Sequence, residues 1–205
     1  MPDLDKALAD IHEIRSRIAA ESDFLGLGPT ALALSGVLAL ATASLQTLLL
    51  AGAPADPVPY FAAWVATAIA AVLLLGSEML RRSRRHHSRL TDSMIQHAVL
   101  QFVPAGVAGA ALLAVFARFA PEALWLLPGL WLLLVSLGIF ASARSLPRQM
   151  VLAGAWYFLS GFTVLMLAAA DHTVSPWSMG LPFFVGQMFV AFIVHRASEA
   201  NHVRQ

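Results

Sequence analysis

The sequence predicts an all-α integral membrane protein, a polytopic bundle of six spans preceded by an amphipathic helix outside the bilayer. Three observations carry that expectation. The 205-residue chain is 59% hydrophobic and 12% charged, with a mean hydropathy of +0.72. An average soluble domain is about 25% charged, and a water-soluble chain of this length has nowhere to bury so much apolar surface. Next, six windows contain no Asp, Glu, Lys or Arg, bounded by Asp23–Asp56, Asp56–Glu78, Asp92–Arg118, Glu122–Arg144, Arg148–Asp171 and Asp171–Arg196. Each can hold the roughly 20 apolar residues that cross a ~30 Å hydrocarbon core. Finally, the cationic residues are unevenly shared between the two sides, as described below.

Residues 1–23 form the first unit. Asp3 suits a helix N-cap, and Leu4, Ile11, Ile14 and Ile18 fall with Ala7 at a/d spacing on one face of a helix over 3–22. Six acids against three bases in this segment rule out a basic signal n-region. They also disfavour a surface helix on anionic lipid, which carries Lys and Arg on its polar face. The apolar face is therefore expected to meet protein: the chain's own basic loop, a second copy, or a partner helix.

Residues 24–196 are the membrane domain. Span one covers about 26–50, entered through Gly28-Pro29, where proline fits a first helical turn. Pro54, Pro57 and Pro59 make the following stretch a loop. Span two covers about 60–80 and span three about 95–117. Spans four, five and six cover about 123–143, 150–170 and 174–194, with Pro176 and Pro182 clouding the start of the last. Residues 197–205 are a tail. Short links such as Phe119-Ala120-Pro121-Glu122 make neighbouring spans antiparallel. Within span three, Gly106, Ala110 and Ala114 form a small-residue stripe that lets another backbone approach, first of all one inside the bundle.

Orientation follows from Arg81, Arg82, Arg84, Arg85 and Arg89 after span two and from Arg144 and Arg148 after span four; the opposite side has only Arg118. Short loops rich in Lys and Arg remain cytoplasmic, so both termini are expected there. Tyr60, Trp64, Trp125 and Trp177 would mark the outer interface, and Trp156 and Tyr157 the inner one. The arginine run reads first as this topology signal together with an anionic-lipid contact, and second as a docking site for an acidic partner. No aromatic residues interleave it, so nucleic acid is not expected.

Chemistry-bearing motifs are few. The chain has no cysteine, which removes disulfides, thiolate nucleophiles and Cys-ligated metals. No phosphate loop, Ser/His/Asp set or HExxH motif occurs, and no carboxylate lies deep in a span, which argues against proton- or sodium-coupled transport. Polar residues within spans are the remaining candidates, because an unpaired polar group in hydrocarbon costs several kcal/mol. His97 and Gln101 stand one turn apart on span three, and Gln187 and His195 two turns apart on one face of span six; both histidines are expected near the cytoplasmic end of the hydrocarbon region. Two histidines at similar depth could ligate a b-type haem from opposite faces, or serve a quinone or a proton relay; an interfacial histidine reaching water needs no cofactor. Ser35, Thr42 and Gln46 give span one a polar stripe suited to interhelical hydrogen bonds. Pro104 and Pro128 would free the carbonyls of Leu100 and Leu124.

Two stretches, Glu122–Trp131 running on to Ser136–Ser142, and Ser175-Pro176-Trp177 through Gly186-Gln187, resemble a family of small, uncharacterised bacterial membrane proteins of six helices, as does the Leu4–Pro29 entry. The resemblance implies a bacterial inner-membrane location and carries no activity. The reading that follows is a non-enzymatic accessory or regulatory subunit, working through protein contacts at its cytoplasmic face as a homo-oligomer or within a membrane complex. A binder of haem, quinone or another hydrophobic ligand between spans three and six, and a passive channel or carrier, are the alternatives.

Overall fold

The structure, a computed structural model, describes residues 28–49, 57–86, 89–142 and 149–202, with side chains at 28–49, 57–81, 102–142 and 149–196. Six of its helices are long and apolar enough to cross a membrane. They are α1 (Pro29–Leu49), α2 (Pro57–His86), α3 (Arg89–Phe119), α4 (Leu127–Ala141, with a preceding 3₁₀ turn Pro121–Leu126), α5 (Met150–Ala168) and α6 (Trp177–His202). The amphipathic segment with Leu4, Ile11, Ile14 and Ile18 lies outside the described residues.

Prolines set most of the boundaries. Pro29 and Pro57 each stand at the first position of a helix, where the missing N–H has no partner to lose. Pro57 and Pro59 thus open α2 rather than belonging to the loop before it. Pro128 is likewise in the first turn of α4 and kinks no continuous span: the 3₁₀ turn ends there, and the Leu124 carbonyl accepts the Leu127 N–H. Pro176 immediately precedes α6, whereas Pro104 and Pro182 lie within helices. The arginine run also differs from expectation. α2 continues as helix through Arg81, Arg82, Arg84 and Arg85, and α3 begins at Arg89, so only residues 87 and 88 separate the two helices.

Packing orders the helices as an open arc, α2–α1–α6–α5–α4–α3. The α4/α5 and α1/α6 pairs are the most extensive, and small residues explain why. A Cβ on Gly129 would lie 2.9 Å from the Gly161 carbonyl oxygen, and one on Gly161 would lie 3.0 Å from that of Gly129. The two backbones therefore approach glycine against glycine, the arrangement by which membrane helices gain van der Waals contact where hydrophobic exclusion is absent. Gly180 serves the same purpose in α6 against Ala43 of α1.

Three clusters of buried side chains fill the arc. The first joins Tyr60, Phe61 and Trp64 to Ala43, Leu124, Leu127 and Met179, with Phe116 and Trp131 against it. The others are built on Leu32, Ile193 and Val194, and on Leu132, Ile139, Tyr157 and Val164. Several aromatics expected at interfaces are therefore core: Tyr60 and Trp64 are each 3% exposed and Tyr157 is fully buried. Trp125 instead lies against His172, their tilted rings 4.7 Å apart, and Trp177 is exposed.

The ends of the arc are poorly covered. Only 17% of the membrane window of α2 and 6% of that of α3 is buried, against 44% for the Pro121–Ala141 span. The expected intramolecular neighbour of the Gly106, Ala110, Ala114 stripe is not found among the described residues. All three are exposed, and a Cβ on Gly106 would meet nothing within 4 Å.

Candidate functional site

Helix α6 carries two of the four ligand-site candidates. Gln187 is half-buried where α6 meets α1 and α5, its Cβ 3.0 Å from the Cβ that Gly36 lacks. Its Nε2 donates to the Tyr157 hydroxyl at 3.4 Å, near the outer limit of a hydrogen bond, and its buried Oε1 has no partner. Gly186 leaves room for the Tyr157 phenol against the α6 backbone. His195 is exposed. Eight residues turn a helix by about 80° beyond two full turns, so the two side chains leave α6 in different directions. His97 and Gln101 lie on the α3 backbone, with side chains outside the described residues.

The setting for a ligand between spans three and six is also altered. Helix α3 packs on α4, while α6 packs chiefly on α1 and α5. No histidine is among the described contacts of Gln187, whose neighbours are Gly36 and Tyr157. Among the described residues no group of three or more His, Asp or Glu is arranged to hold a metal ion. Of the arginines, Arg81 is exposed; Arg82, Arg84, Arg85 and Arg89 stand on the adjoining helix ends, with side chains outside the described residues.

A second polar centre, at the opposite end of the bundle from the arginines, was hidden in the sequence. Gln46 of α1 donates through Nε2 to the Tyr60 carbonyl at 3.0 Å, and Thr42 and Thr67 share a hydrogen bond of 2.7 Å. Two members of the expected span-one stripe therefore tie α1 to α2. Ser35 instead donates to the Leu32 carbonyl of its own helix. The Tyr60 hydroxyl donates to the Ser175 carbonyl at 3.1 Å. That carbonyl also accepts from the Ser178 N–H at 3.1 Å and its hydroxyl at 2.6 Å, while Ser175 Oγ accepts the Trp177 N–H at 3.3 Å. The Ser175-Pro176-Trp177 motif is thus a helix cap, clamped to α2 by one tyrosine.

Two buried atoms of this centre, Gln46 Oε1 and Trp64 Nε1, have no hydrogen-bond partner; the Trp64 side chain approaches the Tyr60 hydroxyl without forming a well-aligned bond. The signal available in sequence was the spacing of Tyr60, Phe61 and Trp64, which puts three rings towards one side of α2. Trp131 completes the set of cross-ties, its Nε1 donating to the Gly109 carbonyl at 3.1 Å and its ring edge-on to Phe61 at 5.8 Å. Trp156 Nε1 donates to the Pro182 carbonyl at 3.0 Å.

The groups gathered in both centres are amides, hydroxyls and indoles, none charged. They join one helix to another, each worth about 1 kcal/mol or less in a membrane, and pair no nucleophile with a base. Comparison of the chain with protein-family models, curated proteins and solved structures finds no match.

Proposed function

We propose that this multi-pass membrane protein is a non-enzymatic accessory or regulatory subunit of a bacterial inner-membrane assembly, acting through protein contacts. The observation that carries the reading is the poor coverage of α2 and α3 within the chain, 17% and 6% of their membrane windows. A helix with so few neighbours of its own, and with a small-residue stripe on its exposed face, is suited to receive another helix. The cytoplasmic acidic segment bearing Leu4, Ile11, Ile14 and Ile18 adds a second contact, and the oppositely charged ends of α2 and α3 lie on the same side of the membrane by the distribution of arginines.

The test is association of the full chain in native-lipid nanodiscs, read by single-molecule subunit counting. The full chain is expected in complexes of two or more protein subunits, and removal of residues 1–22 is expected to lower that number. A chain that is strictly monomeric, and unaffected by the truncation, contradicts the proposal.

One observation favours a second reading, a binder of a small hydrophobic ligand. Gln187 Oε1 is a buried acceptor without a donor, and a ligand hydroxyl or amide would supply one. A visible spectrum of the purified protein discriminates within this class. A Soret band lost in His97→Ala or His195→Ala would establish haem, and a colourless protein would leave quinone or lipid.

A further inference from the structure

Where α4, α5 and α6 converge, three buried polar groups are left unfinished by the protein alone. Tyr157 of α5 is fully buried. Its hydroxyl accepts the Gln187 Nε2 proton at 3.4 Å, and no acceptor for its own proton is found among the described residues. Gln187 Oε1 is buried without a donor. Turning the amide over would orphan Nε2 instead, so one end of Gln187 is unpaired either way.

Ser136 of α4 is the third group. It is fully buried and its Oγ has no partner. Ser35, Ser142 and Thr163 turn their hydroxyls back to a carbonyl of their own helix; Ser136 does not. Leu132, Ser136 and Ile139 follow one another at helical spacing on one face of α4, and Leu132 and Ile139 pack in one cluster with Tyr157. The register of the two helices agrees. Gly154 of α5 lies against Ile139, and Gly161 against Leu133. Ser136, midway between residues 133 and 139, therefore stands opposite the stretch of α5 that holds Tyr157.

The surroundings are apolar and deep. A Cβ on Gly186 would collide with the Tyr157 hydroxyl, so that glycine is what lets the phenol reach α6 beside Gln187. Phe183, one turn before Gln187, sets its ring 5.5 Å from that of Tyr157. Gln187 is ten residues into the 20-residue span Trp177–Arg196, about 15 Å along it and so near the bilayer midplane, where lipid supplies no hydrogen-bond partner. Nε2 already reaches the Tyr157 hydroxyl, so Oε1, on the same amide carbon, is close enough for one oxygen to bond both. Two hydroxyl donors and one amide acceptor are the complement of a single water, which offers two lone pairs and two protons.

We propose that one internal water sits between α4, α5 and α6, accepting the protons of Tyr157 and Ser136 and donating to Gln187 Oε1. It joins the α4/α5 pair to α6 across the seam where the two most extensive helix pairs meet. The site asks nothing of a protein partner. A hydroxyl of a bound hydrophobic ligand would take the water's place, so the water belongs to the ligand-free chain and leaves both readings of the function standing.

The test is water-edited magic-angle-spinning NMR of the full chain in phosphatidylcholine bilayers, with carbon-13 at the tyrosine ζ carbons. The chain has only two tyrosines, and Tyr60→Phe assigns their signals. Magnetisation is expected to pass from water protons to Tyr157 Cζ although that residue is fully buried. Ser136→Ala and Gln187→Leu each leave the water two partners of three, and each should lower the transfer about threefold. Freeing the water offsets the bonds lost, so helical circular dichroism should be unchanged in both variants. A Tyr157 carbon that receives no magnetisation from water in the unaltered chain would overturn the proposal. So would undiminished transfer in both variants.

Discussion

Replacing Gly129 by alanine tests the packing at its tightest point. The new Cβ would lie 2.5 Å from Leu165 Cγ and 2.9 Å from the Gly161 carbonyl oxygen. The leucine can rotate away; the carbonyl moves only if α4 and α5 separate. Overpacking of this kind costs about 1–3 kcal/mol, and alanine recovers about 1 kcal/mol of helix propensity. The net expectation is a loss of up to about 2 kcal/mol. Gly106→Ala is the internal control, since its Cβ would meet nothing within 4 Å. It keeps the propensity gain without the clash and should be neutral or stabilising by up to about 1 kcal/mol. Unfolding of the dissociated chain in mixed micelles, titrated with sodium dodecyl sulfate and followed by circular dichroism, reads the difference between the two variants directly. By heat, the Gly129→Ala transition should fall by up to about 8 °C at roughly 2–4 °C per kcal/mol. Equal effects at the two glycines, or a larger loss at Gly106, would refute the assignment of which faces are packed.

The hydrogen-bonded ties give three further expectations. Tyr60→Phe removes the hydroxyl that clamps the Ser175 carbonyl; it should cost about 1 kcal/mol and speed hydrogen exchange of the Ser178 and Gly180 amides at the start of α6. Trp131→Phe keeps a ring beside Phe61 but loses the bond to the Gly109 carbonyl, so α3 should detach from α4 at lower denaturant, with a loss near 1 kcal/mol. Gln187→Leu removes an acceptor that has no donor and a donor whose bond is 3.4 Å long. Its stability in the same titration should be unchanged or higher by about 1 kcal/mol, because an unsatisfied buried group opposes folding.

The spans were legible because hydrocarbon admits so few charges: each charge-free window holds one helix, and each short link separates antiparallel neighbours. Helix ends were less so. Pro57 and Pro128 are the same residue type as a helix breaker, and only their place in the first turn of an α-helix lets them start one. The arginine run appeared as a loop because charge marks where hydrocarbon ends, not where helix ends. Which face of a span is buried was the least legible property. In lipid both faces are apolar, so Gly106 and Gly129 look alike in sequence although one faces open space and the other a backbone. Tyr60 and Trp64 misled for a related reason: near the end of a span an aromatic ring can serve the interface or the core, and only the positions of Gln46, Ser175 and Trp131 in space decide. Gln187 was recognisable as an intramembrane amide, but its partner Tyr157 is thirty residues away and shares no pattern with it.

Counting subunits is the direct test of the proposed action of this chain through other protein. Full-length protein and a form lacking residues 1–22 would each carry one fluorophore on an introduced cysteine, the natural chain having none, and be captured in nanodiscs drawn from the native membrane. Stepwise photobleaching together with the mass of each particle gives the number of copies and of other chains. Particles of the full chain are expected to contain at least one further protein chain, and those of the truncated form to be largely solitary. Solitary particles for both forms would contradict the proposed role.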